Sequence, residues 1–427
     1  MDVSLIKRVI ADQRADLKKK FESERIIKRE FIDEIGRVFK QHGLLVLSGI
    51  RRSGKSVASV LLSGHDYGYV NFDDPSLAGL KSGDLIYVKE AMAGVWGDPP
   101  TLILDEVQNV SGWELFVSRL RETKRTIITG SNASLLSGEL GTRLTGRYIK
   151  FSVMPFSFRE FLEYRRADIG GPVYTTSNIA EIKEQLEVYL KQGGFPEANI
   201  YGQRIVAQIY EDIITKDIEK RYGIRYRSTF REFARYVLSN SAGRISYNSL
   251  KNAFDIKSVH TAKNYLAYLQ NAYLVMTINR YSRKLKEQGR SAKKVYCADN
   301  GILNALGFRV VDDKPRLLEN LVAIELLRRS SYWRPGLEVY YWQDALQREV
   351  DFVLKNGERV EELMQVTYEL NASNMSRELT PLLKASDELR CNKLTVLTWE
   401  DERVVRKRGK RISIIPIWRW LLNHGGM

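Results

Sequence analysis

The apolar positions of the chain change period several times, and each change marks a new kind of element. Residues 4–30 carry Leu5, Ile10, Leu17 and Phe21 among many charges, which predicts a solvated helix or arm with little apolar surface of its own, packed on a neighbour. From residue 31, short apolar runs at 44–47, 69–72, 102–104, 126–128 and 148–153 alternate with stretches of helical period. Strands alternating with helices predict a parallel α/β sheet. Residues 155–223 then read as helical throughout, with Phe156, Phe158, Phe161 and Leu162, and later Leu186, Tyr189 and Leu190, at spacings of three and four. From about residue 315 the order is helix, strands at 339–342, 350–354 and 363–368, helix, strand at 394–399, a further strand and a last helix.

Between these regions lies a trio of expected helices at 230–240, 246–254 and 258–269, with Ser246 and Ser258 as N-caps and Val259, Ala262, Leu266 and Leu269 on one face. Segments 272–278 and 294–297 are expected to pair as a wing around Arg280, Arg283, Lys284, Lys286, Arg290 and Lys293. This is the outline of a winged helix-turn-helix. Its third helix can enter a major groove, which would turn Lys257, His260, Lys263 and Asn264 toward bases or phosphates. The alternative is a protein-protein module with a solvated basic face.

Length and charge sharpen this outline. At ~100 to 200 residues per domain, 427 residues predict two to four domains. With 44% hydrophobic and 28% charged residues, a disordered chain is excluded. No run approaches the ~20 apolar residues of a membrane helix, and the first twenty residues lack the apolar core of a signal peptide, so a cytoplasmic protein without membrane contact is expected. Two cysteines and four histidines, far apart in sequence, exclude a structural zinc site or disulfide framework. The net charge of +15 is concentrated: residues 225–294 hold 15 basic and 3 acidic side chains. Such a local footprint points to nucleic acid. If about six of these cations neutralise phosphates, log K should fall with log salt at a slope near −5.

The first apolar run, 44–47, leads into Gly49-Ile50-Arg51-Arg52-Ser53-Gly54-Lys55-Ser56, a complete G-x4-G-K-[ST] between a strand and a helix. Glycines let backbone N–H groups curl around phosphates at a helix N-terminus, Lys55 reaches the β- and γ-phosphates, and Ser56 ligates Mg2+. The run at 102–104 ends in Asp105-Glu106. There Asp105 can hold the Mg2+ shell and Glu106 can polarise the attacking water. After the run at 126–128, Asn132, ahead of Ser131, is placed to bond the γ-phosphate and water. Arg143 and Arg147 are the candidates for an arginine finger that reaches a neighbouring subunit, a surface role being the alternative for each. Asn71 is a candidate switch restraining Glu106, with a plain turn-initiating role as the other reading.

With these motifs in place the chain resembles the AAA+ class ATPases of archaea and bacteria, in which a P-loop domain precedes a winged helix and a C-terminal restriction-endonuclease-like domain. The matching stretches, besides 49–56 and 102–106, are Gly130-Ser131-Asn132 with Leu135-Leu136-Ser137, Leu144-Thr145-Gly146-Arg147, the segment 155–161, Gly193-Gly194-Phe195-Pro196 and Leu317-Leu318-Glu319-Asn320. The resemblance covers nearly the whole chain. It implies binding and hydrolysis of ATP with Mg2+, subunit-contact assembly with a hexameric ring as one form, and an association with DNA.

The C-terminal part resembles a PD-(D/E)xK nuclease core, with Glu319 on the first helix, Asp351 in Glu349-Val350-Asp351, and Gln365-Val366-Thr367 on the next strand. Metal-assisted hydrolysis needs carboxylates for the ion and a lysine beside the nucleophile. Here Gln365 stands where an acid is usual and Thr367 where the lysine should be, so cleavage is not expected unless Lys355 or Lys384 supplies a displaced amine.

The fold class expected is therefore α/β: a P-loop AAA+ parallel sheet with a helical lid, then a winged helix, then an α/β restriction-endonuclease-like domain. The boundaries read as an N-terminal arm at 1–30, an ATPase core at 31–154, a lid at 155–224, a winged helix at 225–308 and the nuclease-like domain at 309–427. The function expected is a Mg2+-dependent ATPase, homo-oligomeric, that binds or remodels duplex, forked or junction DNA, its nuclease-like domain non-cleaving. Two alternatives are an ATP-dependent nuclease in DNA repair or defence and an ATP-driven regulatory switch acting on protein partners.

Overall fold

The computed structural model describes residues 2–133, 148–170, 174–307 and 313–423. These divide into two compact units, 1–155 with 271–273, and 156–270 with 274–427.

The first unit opens with α1 (Val3–Ser23), capped by Asp2, whose carboxylate accepts from Ser4 N at 3.2 Å. Its buried stripe is Ile6, Val9, Ile10 and Leu17, while Leu5 is exposed. Ile6, Val9 and Ile10 join one hydrophobic cluster with Val88, Ala91 and Met92 of α4 (Leu85–Trp96). The charged arm of the sequence is thus a helix that contributes to the core. The sheet contains β1 (Leu44–Ser48), β2 (Tyr67–Asn71), β3 (Thr101–Asp105), β4 (Arg125–Gly130) and β5 (Ile149–Ser152). Its order is β2-β3-β4-β1-β5, all parallel. Helix α2 (Ile32–His42) leads into β1, and α3 (Lys55–Ser63), α4 and α5 (Trp113–Leu120) make the crossovers from β1 to β2, β2 to β3 and β3 to β4. Every residue of β1 and β3 is buried, as expected of central strands in a parallel sheet covered on both faces. Register fixes what meets at the carboxyl edge: Leu47 pairs with Thr129 and Asn71 with Asp105.

The second unit begins with helices. In α6 (Phe158–Arg165) the Ser157 hydroxyl accepts from Glu160 N at 3.1 Å and the Glu160 carboxylate from Ser157 N at 2.9 Å, a capping box that fixes the first turn. Helix α7 (Thr176–Gln192) is capped in the same way by Thr175. Helix α8 (Gln203–Asp212) runs on into a π-helical stretch, Ile213–Lys220. Then come α9 (Arg227–Ser239), α10 (Tyr247–Ala253), capped by Ser246, and α11 (Val259–Asn271), where the Ser258 hydroxyl accepts from Thr261 N at 3.1 Å. Ala262, Leu266 and Leu269 are buried as the periodicity predicts, and Val259 at the helix end stays exposed.

Strands β6 (Gly243–Ile245), β7 (Val275–Arg280) and β8 (Lys293–Cys297) form an antiparallel trio, with a short helix Leu285–Arg290 between β7 and β8. The trio does not end there. Strand β7 pairs in parallel with β9 (Leu337–Gln343), followed by β10 (Glu349–Asn356), β11 (Arg359–Val366), β12 (Leu394–Thr398), β13 (Arg403–Lys407) and β14 (Lys410–Pro416). One nine-stranded sheet results, in the order β13-β14-β12-β11-β10-β9-β7-β8-β6. The basic region and the C-terminal region therefore share a sheet. Helix α12 (Lys314–Tyr332) carries buried side chains round its whole circumference, from Leu317 and Leu318 to Arg328 and Arg329; such a helix belongs inside a fold. Helices α13 (Met375–Leu389) and α14 (Ile417–Leu422) complete the unit.

Candidate functional site

At the carboxyl edge of the first sheet, β1 passes into the loop 49–54 and then into α3. The loop needs its glycines. Gly49 has φ +146°, and a Cβ there would lie 2.2 Å from the carbonyl oxygen of Val153. Gly54, with φ +94°, is the N-cap of α3, a conformation that a side chain disfavours. Ile50 and Ser53 are buried, Arg51 lies 3.3 Å from Asp73, and Arg52 takes a left-handed φ of 62°. The side chain of Lys55 is 5% exposed and turns back on the loop, donating to the carbonyls of Gly49 and Ile50, each at 3.1 Å.

The neighbouring strand ends bring the acids to this loop. Lys55 Nζ is 3.8 Å from Glu106 Oε1. Asp105 accepts hydroxyl hydrogen bonds from Tyr69, at 2.6 Å, and from Thr129. Thr129 in turn accepts from Glu106 N at 3.0 Å. Burial, reinforced by the charge of Asp105, holds the Tyr69 phenol well above its usual range, so it stays a donor; Ser56 is its other hydrogen-bond neighbour. Asp105 is 2% exposed and, among the described residues, has no ion pair. A buried carboxylate bonded by hydroxyls is a place where a cation can bind. Asp105 and the neighbouring Ser56 could hold such a cation.

Glu106 itself has φ 51°, a left-handed conformation that costs a non-glycine residue energy and is over-represented at functional sites. Its carboxylate accepts from the amide of Gln108. Asn71, the other candidate for that restraint, is engaged elsewhere: its side-chain oxygen accepts from Asp73 N at 2.9 Å, so it initiates a turn. Ser131 and Asn132 are buried at the end of β4. Arg143 and Arg147 lie outside the described residues.

Sequence reasoning missed Tyr69, Thr129, Gln108 and Arg29. Arg29 is 4% exposed and donates to the carbonyls of Ser53 at 3.0 Å and Met154 at 2.7 Å, clamping the loop to the chain beyond β5. Strand register brings Tyr69 and Thr129 to Asp105, whereas Gln108 follows Glu106 by two positions and Arg29 reaches the loop from the chain ahead of α2.

In the basic region Lys257, His260 and Lys263 are exposed and Asn264 is half-buried. Asn264 Nδ2 and His260 Nδ1 are 3.3 Å apart, one helical turn from each other. Arg283, Lys284 and Lys286 are exposed between β7 and β8, with Lys284 3.3 Å from Glu287. Arg280 does not join them, because its guanidinium donates to the carbonyl of Gln343 at 2.6 Å and ties β7 to the C-terminal strands.

The three C-terminal residues read from the motif do converge. Glu319 of α12, Asp351 of β10 and Gln365 of β11 meet at one place, joined by a lysine that the motif did not contain. Lys294 of β8, 1% exposed, lies 2.8 Å from Glu319, 2.9 Å from Asp351 and 3.1 Å from Glu349. Burial opposes its charge, yet the carboxylates of Asp351 and Glu319 outweigh it and hold the ammonium well above its usual range. Tyr296 donates to Glu319 at 2.9 Å, and Asp351 accepts from Val366 N at 3.0 Å. Gln365 Oε1 accepts from Asp351 N at 3.3 Å, and its Nε2 donates to Glu378 at 3.0 Å. The expected displaced amines are elsewhere: Lys355 pairs with Glu338 at 2.6 Å and Lys384 with Asp344 at 2.9 Å. Among the described residues no group of three or more His, Cys, Asp or Glu is arranged to hold a metal ion.

The glycine pair at 193–194 also acquires a reason. A Cβ on Gly193 would fall 1.7 Å from Asp299 Oδ1, and one on Gly194 would fall 2.3 Å from the carbonyl oxygen of Phe156. Gly194 N donates to Asp299 at 2.6 Å.

Residues 41–162 match the model of an AAA domain, 183–313 a domain of unknown function (DUF8612) and 314–420 a second one (DUF4143). An uncharacterized protein of Methanocaldococcus jannaschii, MJ1544, is 31% identical over 399 residues, which cover 89% of this chain and 88% of the relative. An uncharacterized protein of Haemophilus influenzae is 29% identical over 401 residues, covering 88% and 94%. Among solved structures, the Walker-type ATPase PABY2304 of Pyrococcus abyssi aligns with 66% of this chain and 96% of its own at 15% identity and a TM-score of 0.42.

Proposed function

We propose that this chain, which belongs to one family with the uncharacterized protein MJ1544 of Methanocaldococcus jannaschii, hydrolyses ATP with Mg2+ and couples its nucleotide state to DNA. The observation that carries the proposal is the cluster at the carboxyl edge of the parallel sheet. There a glycine loop, Lys55, Asp105 and Glu106 come together, and Thr129 bonds to both Asp105 and the backbone of Glu106.

The loop N–H groups and the N-terminus of α3 would receive the phosphates, and Lys55 would move from the loop carbonyls to the terminal phosphates. Ser56 and Asp105 would hold Mg2+, which would supply positive charge to the phosphate groups. Glu106 would take the proton of the attacking water, its backbone position fixed by Thr129 and its carboxylate oriented by Gln108. Asn132 at the end of β4 would face the γ-phosphate. Arg143 or Arg147 would act on a neighbouring subunit in a homo-oligomer.

DNA would meet the exposed basic face of Lys257, His260 and Lys263, with Asn264 beside them, and the wing residues Arg283, Lys284 and Lys286. Arg280, bonded to Gln343, would serve as an anchor of the wing. The C-terminal sheet would act as a platform without cleavage. In support, the ammonium of Lys294 sits between Glu319 and Asp351, where a nuclease would need a metal ion.

The test is steady-state ATP hydrolysis without DNA and with duplex, single-stranded and forked DNA, with Lys55→Ala and Glu106→Gln as controls. Stimulation by one form, lost in both controls, is the expected result. Hydrolysis indifferent to every DNA would move the function to the switch that acts on protein partners. Cutting of any of these DNAs in Mg2+, abolished by Asp351→Ala, would overturn the non-cleaving role.

A further inference from the structure

A cavity of about 410 Å3 opens in the C-terminal part of the second unit, lined by Arg329, Lys393, Arg411, Ser413, Arg419 and Trp420 among others. Its floor is one face of β11, β12 and β14. Arg411, Ser413 and Ile415 alternate along β14 and line the cavity, while Ile412 and Ile414 between them are buried on the other face. Arg329 of α12 is 3% exposed. Its Nε donates to Glu325 at 2.9 Å, its Nη2 donates to the carbonyl of Trp420 at 2.7 Å, and its guanidinium lies 4.0 Å from the centre of the Trp420 ring. Its Nη1 is buried and, among the described residues, has no acceptor; Arg419 Nε is in the same state.

A buried guanidinium N–H without an acceptor is costly, and here it belongs to a residue that lines a cavity. Charge tells what the acceptor is. Glu325 is shared by Arg328 and Arg329, at 3.1 and 2.9 Å; Lys393 pairs with Glu362 at 3.0 Å, and Arg419 with Glu402. Arg411 is exposed and, among the described residues, has no ion pair. Of the charged side chains that line the cavity, Arg329, Lys393, Arg411 and Arg419 are cations and Glu362 and Glu402 are carboxylates, an excess of two positive charges. The hydroxyl of Thr395 is committed to Glu362 at 2.6 Å, which leaves Ser413, Asn392 and Asn423 as neutral side-chain donors on the lining.

We propose that this cavity binds the dianionic phosphate of a phosphomonoester, carried by a small molecule or by the 5′ end of a nucleic-acid strand. The two excess charges match a dianion, and planar guanidinium donors suit phosphate oxygens. The volume leaves space for a small organic group beside the phosphate. The site is separate from the glycine loop and does not rest on the proposed ATPase.

The test is calorimetric titration of the full chain with ribose 5-phosphate, in the unaltered protein, Lys55→Ala, Arg411→Ser and Arg411→Lys. The first two are expected to bind alike, Arg411→Ser about tenfold or more weaker, from the loss of a charge-assisted hydrogen bond, and Arg411→Lys in between. No saturable binding, equal affinity in Arg411→Ser, or binding lost only in Lys55→Ala would each overturn the proposal. Short single strands with and without a 5′-phosphate separate the sources. Tighter binding of the phosphorylated strand than of ribose 5-phosphate identifies a strand end, and equal binding of the two strands identifies a small molecule.

Discussion

Lys294 Nζ on β8 lies 2.9 Å from Asp351 Oδ1 on β10, a contact between residues 57 positions apart in the chain. The two strands come from segments that the sequence divides into different regions, and the ammonium is 1% exposed. A buried ion pair is worth little against an apolar substitute, but removing one partner strands the other charge in a low-dielectric interior.

Lys294→Met is therefore expected to destabilise the chain by about 3–5 kcal/mol, read from its urea midpoint. Lys355→Met, which removes a partly exposed pair with Glu338, should cost no more than about 1 kcal/mol. Equal losses in both variants would show that the Lys294 cluster is not a stabilising junction.

The second prediction concerns Thr129. Thr129→Val keeps the shape of the side chain and removes the hydroxyl that serves both Asp105 and Glu106 N. Hydrolysis should fall about 10- to 100-fold, as when outer supports of a metal or catalytic shell are lost, while ATP binding is retained. Unchanged kcat would remove Thr129 from the site.

Stability should also depend on pH through Asp299. Burial pushes its carboxyl up to about 7, against the hydrogen bonds from Gly194 and Gly301 and the charge of Arg328. The unfolded chain releases that proton near 3.8. Between about pH 4 and 7 the native state holds a proton that the unfolded state has lost, so stability falls as pH rises through this window and levels off above it. One such group gives a slope of at most about 1.4 kcal/mol per pH unit. Urea midpoints at pH 5 and 7.5 should show the decline, and Asp299→Asn should make it shallower. A midpoint that rises over this range would contradict the assignment.

For DNA, the double reversal Lys257→Glu, Lys263→Glu removes two exposed cations from α11 and its approach. Binding should weaken on every sequence, and the salt slope should lose about 1 per phosphate contact removed. Arg280→Ala should leave that slope unchanged, since its guanidinium is bonded to Gln343. Fluorescence anisotropy across a salt series decides between these outcomes.

Contiguous signals were legible in the sequence. Gly49 to Ser56 is one loop with the first residues of α3, Asp105 follows one apolar run with Glu106 next to it, and the five strands of the parallel sheet fall on the five short apolar runs. Local chemistry was legible as well: Ser246 and Ser258 cap the helices that their spacing predicts. These features depend on neighbours within a few positions, so residue order alone determines them.

The tertiary structure decided which side chains share a charge. Lys293 and Lys294 are adjacent in sequence, yet the first turns to Asn279 and the second to Glu319 and Asp351. In a strand, successive side chains take opposite faces, and a shift of one residue exchanges them. The same register brings Thr129 to Asp105 and leaves Asn71 in its own turn, and the pairing of β7 with β9 draws Arg280 to Gln343. An ion pair is set by distance in space and by the loss of water around it, and neither is written in the spacing of residues along the chain.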